Sequence, residues 1–132
     1  MTSTRCARAR EDAFHADSYQ LAGRLAKAGV KFAFSTGDNT NVRLLPNHAA
    51  MSVAWGMNRD EALKALTINA AEILGIANRV GSIEAGKDAN LFIAKGDPLE
   101  IRTQVTHVVV AGREVGTDSR HEALYRKYIA RP

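Results

Sequence analysis

Residues 28 to 38 read Ala28-Gly29-Val30-Lys31-Phe32-Ala33-Phe34-Ser35-Thr36-Gly37-Asp38. Val30, Phe32, Ala33 and Phe34 put apolar side chains on both sides of the chain. Val30 to Ser35 is therefore expected to be a short strand covered on both faces, as in a parallel sheet. Gly29 closes a helical pattern that starts at Asp17, with Tyr19, Ala22, Leu25 and Ala26 near one face and Arg24 and Lys27 off it. Thr36 to Asn41 is a polar stretch leaving the carboxyl end of the expected strand, where α/β folds place their ligands. Helix, buried strand and polar loop in that order are α/β logic.

Working outward, Leu44, Leu45 and Pro46 open a further helix that runs through Met51 and Val53 to Trp55, with Pro46 in its first turn. Asn58 with Glu61, Asn69 with Glu72, and Ser119 with Glu122 each read as a helix cap followed three positions later by Glu. Three packed helices are expected over residues 44 to 75. From Asn78 the character changes: Gly81, Gly86, Gly96, Gly112 and Gly116 punctuate the apolar runs Asn90 to Ala94 and Val105 to Val110. Ala111-Gly112 joins the second run to Arg113-Glu114-Val115 as a tight hairpin, so residues 80 to 116 read as a small β unit. Arg120 to Ala130 reads as an amphipathic last helix through Ala123, Leu124, Tyr128 and Ile129. Met1 to Ala16 holds Arg5, Arg8 and Arg10 with little periodicity and is expected to be a poorly ordered lead-in. There is no internal repeat.

The 132 residues allow one ordinary domain, and 45% hydrophobic with 24% charged residues is globular composition. Disorder, collagen-like repeats and a disulfide framework are excluded. Cys6 has no partner for an internal bridge and suits a reducing compartment, so the cytoplasm is expected. No apolar run reaches the roughly 18 to 20 residues of a membrane helix. A net charge of +4 selects no partner, and Arg120, Arg126, Lys127 and Arg131 lack the aromatic platform of a nucleic-acid surface. Neither membrane nor nucleic acid is expected as a partner. A closed eight-stranded α/β barrel needs about 200 residues, more than this chain supplies.

Asp38, just past the end of the expected strand, is a candidate metal ligand or general base, although with Gly37 and Asn39 it also satisfies turn chemistry. Position alone favours the turn. Asn41 and Arg43 extend the loop and could recognise a polar or anionic substrate; helix capping and solvation account for them equally. His48, early in the next helix, could approach a site at that loop, or simply face solvent. His15, His48, His107 and His121 include no H-x-H or H-x-x-x-H pair, so no local zinc motif exists.

The order of motifs resembles the metal-dependent amidohydrolases, in particular the imidazolonepropionase-like group. Ala28 to Asp38 resembles that family's last barrel strand. Thr67-Ile68-Asn69-Ala70-Ala71-Glu72-Ile73-Leu74-Gly75 is similar to its T-x-N-x-A-x-x-L-G helix. Gly81-Ser82-Ile83-Glu84-Ala85-Gly86-Lys87-Asp88-Ala89-Asn90-Leu91 is similar to its G-S-I-x-x-G-K turn into a composite β domain. Gly96-Asp97-Pro98-Leu99 and Val108 to Val115 complete the set, so the resemblance covers residues 28 to 116. Many members read Thr-Asp where Gly37 here separates Thr36 from Asp38.

The resemblance implies an α/β fold: a partial (β/α)8 barrel, its last strand and following helices, with part of the composite β domain and a C-terminal helix. The boundaries it implies are a lead-in over 1–16, the barrel piece over 17–77, the β portion over 78–117 and the helix over 118–132. It implies hydrolysis of amide or cyclic C–N bonds in a small-molecule substrate, by a divalent metal that polarises the carbonyl and acidifies a bound water. Asp38 is the residue matching the family's metal-binding, proton-moving Asp, and Asn41, Arg43 and His48 are substrate-side candidates. The family's H-x-H, bridging Lys or Glu and later histidines have no counterparts here. The metal, zinc by preference, is thus expected in the complete enzyme, while this chain alone is expected to hold none and to be inactive. With strand edges unsatisfied, the chain is expected to self-associate or to pair with the missing barrel portion. Two other readings are a noncatalytic binding or assembly module and a subunit completing a split barrel with a partner that carries the histidines.

Overall fold

A computed structural model describes residues 17–37, 40–117 and 119–130. Its elements run α1 (Asp17–Lys27), a 3-10 turn (Val42–Leu44), α2 (Leu45–Ala54), α3 (Arg59–Leu66), α4 (Ile68–Ile73), β1 (Leu91–Ala94), β2 (Val105–Val110), β3 (Arg113–Val115) and α5 (Arg120–Ile129). The helices end and begin where local chemistry directs. At the end of α1 the Val30 amide donates to the Leu25 carbonyl and the Gly29 amide to that of Ala26, both at 3.0 Å. This pair of bonds requires a left-handed residue at Gly29, which has φ +70°. The same pairing closes α2 at Gly56 and Met57, and α4 at Gly75 and Ile76. Pro46 lies in the first turn of α2, where its missing N–H costs nothing. The Asn58 side chain accepts from the amides of Asp60 and Glu61 at the start of α3. A reciprocal capping box forms between Ser119 and Glu122.

Two expectations are corrected. Asn69 does not cap a helix: α4 begins one residue earlier, at Ile68, with Thr67 as its cap position. Val30 to Ser35 is not a strand either, since no described strand lies beside it and residues 30–36 have no regular secondary structure. A ladder needs a second chain segment to satisfy its N–H and C=O groups. Here the Phe34 amide turns to the Ala65 carbonyl at the end of α3, at 3.3 Å. The segment is still directed inward at one position: Phe32 is buried and packs edge-on to Phe34, with ring centroids 5.6 Å apart.

The core gathers Ala22, Phe32, Ala49, Met57, Ala62, Ala65 and Leu99, with Leu25, Phe34, Val53, Leu63 and Leu66 packed around it. Alanines at the helix contacts let α1, α2 and α3 approach closely, but leave the core thin. No large side chain among the described residues is completely enclosed. The sheet has the order β1-β2-β3 with both pairs antiparallel, and the hairpin turns at Ala111 and Gly112, both left-handed at φ +50° and +77°. The sheet joins the helices through loops: Leu99, in the connection from β1 to β2, inserts into the helical core, and Gly81 lies against α4. The expected amphipathic face of α5 is present in the pattern, but Leu124, Tyr125, Tyr128 and Ile129 are all exposed and the helix buries no residue.

Candidate functional site

The stretch that leads to the polar loop is held from α3 and α4. Beside the bond from Phe34 to Ala65, the Asn69 side-chain amide donates to the Phe32 carbonyl at 3.4 Å. The Lys31 ammonium meets the Glu72 carboxylate at 2.6 Å. Both members of that ion pair are exposed, so it adds little energy. The Gly37 amide donates to the Ser35 hydroxyl at 3.2 Å. Asp38, the leading candidate from the sequence, lies outside the described residues. Beyond it, Asn41 accepts at its carbonyl from the Leu44 amide at 2.8 Å and so starts the 3-10 turn that carries Arg43. His48 sits in the first turns of α2, and its carbonyl accepts from the buried Ser52 hydroxyl at 3.2 Å. Asn41, Arg43 and His48 share one stretch of chain and all face solvent.

A cleft of about 730 Å³ opens between α3–α4 and the β unit. Leu63, Leu66 and Leu74 line one wall, and Val80, Ile83, Leu91 and Phe92 the other. A surface of this composition is suited to burying apolar groups. At its lip the Ser82 hydroxyl donates to Glu84 at 2.6 Å, and the largely buried Lys87 ammonium reaches both Ser82 and Glu84. The Ser82 bond first, and Lys87 second, lower the Glu84 carboxyl below its ordinary range. Ser82 thus bridges an ion pair, and the three side chains brace the turn. Across the same seam, Arg59 at the start of α3 bonds to Asp97 after β1. That bond, followed by the Leu99 amide on the other carboxylate oxygen, lowers the Asp97 carboxyl and raises the Arg59 guanidinium.

Sequence reasoning did not find these braces, nor the role of Asn69. A side chain that bonds to backbone 37 residues away carries no local pattern to read.

Among the described residues no group of three His, Cys, Asp or Glu side chains gathers where a metal ion could be held. His107 lies on the exposed sheet with its Nδ1 2.7 Å from Glu114, and His121 is in the first turn of α5. The described residues by themselves do not fit a resident divalent metal, which ordinarily takes three or four protein ligands.

The fold and its seam define a class. Residues 4–115 match the pattern of the amidohydrolase family, and the chain belongs to that family. Its architecture is a partial (β/α)8 barrel with an attached β unit. Within the family the chain is similar to the imidazolonepropionase of Geobacillus kaustophilus, at 42% identity over 76 residues, covering 54% of this chain and 18% of that enzyme. It is also similar to the adenine deaminase of Rubrobacter xylanophilus, at 32% identity over 77 residues, covering 58% of this chain and 12% of the deaminase. Among solved structures it is similar to an amidohydrolase from Thermotoga maritima, with a TM-score of 0.70 and 31% identity, covering 82% of this chain and 29% of that one. A Xaa-Pro dipeptidase matches with a TM-score of 0.64 and 28% identity over 74% of this chain and 25% of its own. The chain spans less than a third of each of these relatives. The family generally uses a divalent metal. No helix among the described residues is long and apolar enough to cross a membrane.

Proposed function

We propose that this chain forms the C-terminal part of a metal-dependent amidohydrolase that hydrolyses an amide or cyclic C–N bond in a small molecule, and that the 132 residues alone are inactive. The observation that carries this reading is the family match over residues 4–115 in a chain that supplies only 18% of the length of its imidazolonepropionase relative. The surface agrees with it. Ile83 is 89% and Ile101 83% exposed, and the apolar cleft beside β1 has room for further chain. Residues 17–77 contribute the barrel piece, 78–117 part of the composite β domain and 118–132 a terminal helix. Asp38 is the metal-binding and proton-moving carboxylate, while Asn41, Arg43 and His48 contact substrate from the same loop and helix. The divalent metal, zinc by preference, is held in the complete cytoplasmic enzyme chiefly by residues contributed from outside this chain.

The test compares the 132-residue chain with the same chain joined to, or mixed with, a barrel portion that carries an H-x-H pair. Metal content and hydrolysis of an imidazolone substrate are measured in each. Turnover and stoichiometric metal are expected only in the completed protein, and Asp38→Asn is expected to abolish that turnover. Stoichiometric zinc with turnover in the chain alone overturns the incomplete-site reading. No hydrolysis in the completed protein, together with an Asp38→Asn variant that behaves as the parent, favours a noncatalytic assembly module instead.

A further inference from the structure

Asn69 occupies the second position of α4, where an Asn or Asp is ordinarily read as serving the helix start. The structure shows its side chain turned away from that task. The cap position of α4 belongs to Thr67, which makes no side-chain bond to the helix start. The Asn69 Nδ2 instead reaches back 37 residues to the Phe32 carbonyl at 3.4 Å. Phe32 is the buried anchor of the segment Val30–Gly37, with 5% of its surface exposed. Two residues on, the Phe34 amide is taken by the Ala65 carbonyl. One carbonyl and one amide of the segment, two residues apart, are thus satisfied from the α3–α4 corner. A neighbouring strand would satisfy the same kinds of group by ladder bonds.

We propose that Asn69 is a positioning residue: its carboxamide stands in for the N–H of an adjoining strand and fixes the direction in which residues 30–37 leave the helical core toward the polar loop. The inference rests on the reading above that this loop serves a hydrolytic site. Its geometry is testable without turnover. Asn69 acts through the backbone of Phe32 and touches no reacting group. Thr67 keeps the helix corner itself, since its hydroxyl donates to the Leu63 carbonyl at 2.7 Å, which leaves Asn69 available for the long-range bond. The charged members of the same clasp, Lys31 and Glu72, pair with each other across it.

Asn69→Asp separates the two roles. A carboxylate near a helix N-terminus serves the helix as well as an amide does, but an ionised carboxylate cannot donate to a carbonyl. The measurement is amide hydrogen exchange by NMR on the full chain, each rate divided by its intrinsic chemical rate. At pH 7 the Phe34 amide is expected to exchange about fivefold faster in Asn69→Asp, the scale of one lost hydrogen bond. The Ala71 and Leu74 amides within α4 should keep their parental rates. Below about pH 4 the Asp side chain protonates and regains a donor, so protection at Phe34 should return. The parent chain followed over the same range is the control for acid effects that do not arise at position 69.

Equal acceleration in α4 and at Phe34, or parental protection at Phe34 at pH 7, overturns the proposal. If Asn69→Asp does not fold, the parent chain decides. Carboxamide protons of Asn69 that exchange as fast as those of exposed Asn78 overturn the proposal, and slower exchange supports it. The exchange result bears on the clasp alone, and the turnover experiment bears on the hydrolytic reading alone.

Discussion

Gly81→Ala probes how the β unit is seated on α4. Gly81 has φ +97°, and a Cβ built there would lie 2.7 Å from the Ala71 Cβ, 3.0 Å from the Ile68 Cα and 3.3 Å from the Ile68 Cδ1. Two penalties therefore add. A left-handed backbone costs an L-residue about 1–2 kcal/mol. Forcing a methyl into occupied space, with helix backbone as one of the obstacles, costs about 1–3 kcal/mol. The sum, roughly 2–5 kcal/mol, is a large part of the 5–15 kcal/mol typical of a whole domain. Gly86→Ala is the control, because Gly86 has φ +90° but nothing within 4 Å of its virtual Cβ. It should lose only the backbone part. Urea denaturation followed by far-UV circular dichroism, with midpoint and slope fitted for each variant, measures the difference. Gly81→Ala is expected to lose about 1–3 kcal/mol more than Gly86→Ala. Equal losses would refute the close approach of the turn to α4, and a loss below about 1 kcal/mol at Gly81 would refute both terms.

Ala111→Asn should stabilise the chain by about 0.5–1 kcal/mol in the same denaturation assay, because Ala111 sits at φ +50° in a hairpin turn that favours Asn-Gly; a neutral or destabilising result counts against the turn geometry. The Asp97 carboxyl is lowered in the folded state, so folding is favoured by its ionisation at pH above about 4, and that contribution is lost as pH falls through the depressed folded value. The stability gap between the parent and Asp97→Asn should accordingly narrow in acid titrations from pH 5 downward, and a gap constant with pH would contradict the Arg59–Asp97 brace. The β1 residues Phe92 and Ile93 are each about half exposed and carry no guarding charge. The chain is therefore expected to associate with rising concentration in light scattering, and Phe92→Lys to reduce that association without lowering the melting temperature.

Much of the local structure was legible because its causes are local. Gly29 after the α1 pattern, Pro46 inside α2, Asn58 and Ser119 at their caps, and Ala111-Gly112 between alternating apolar runs each specify a backbone conformation from a few adjacent residues. The family was legible for a related reason: the motifs from Gly81 to Leu91 and from Val108 to Val115 are contiguous. The candidate site was less so. Asn41, Arg43 and His48 lie along one exposed stretch as the sequence placed them, but Asn69 with Glu72 imitated a cap while bonding elsewhere. Val30 to Ser35 carries a strand's composition, and composition cannot supply the second strand a ladder requires.

What the sequence by itself determined is where α1 stops, where α3 and α5 start, where the hairpin turns, and which family the chain resembles, since all of these depend on neighbours along the chain. What only the tertiary structure decided is which distant groups satisfy one another. Leu99 enters the helical core, Arg59 ties to Asp97, and the Phe32 carbonyl is claimed by Asn69. The physical reason is that buried backbone groups must find a donor or acceptor somewhere, and three-dimensional proximity selects which one.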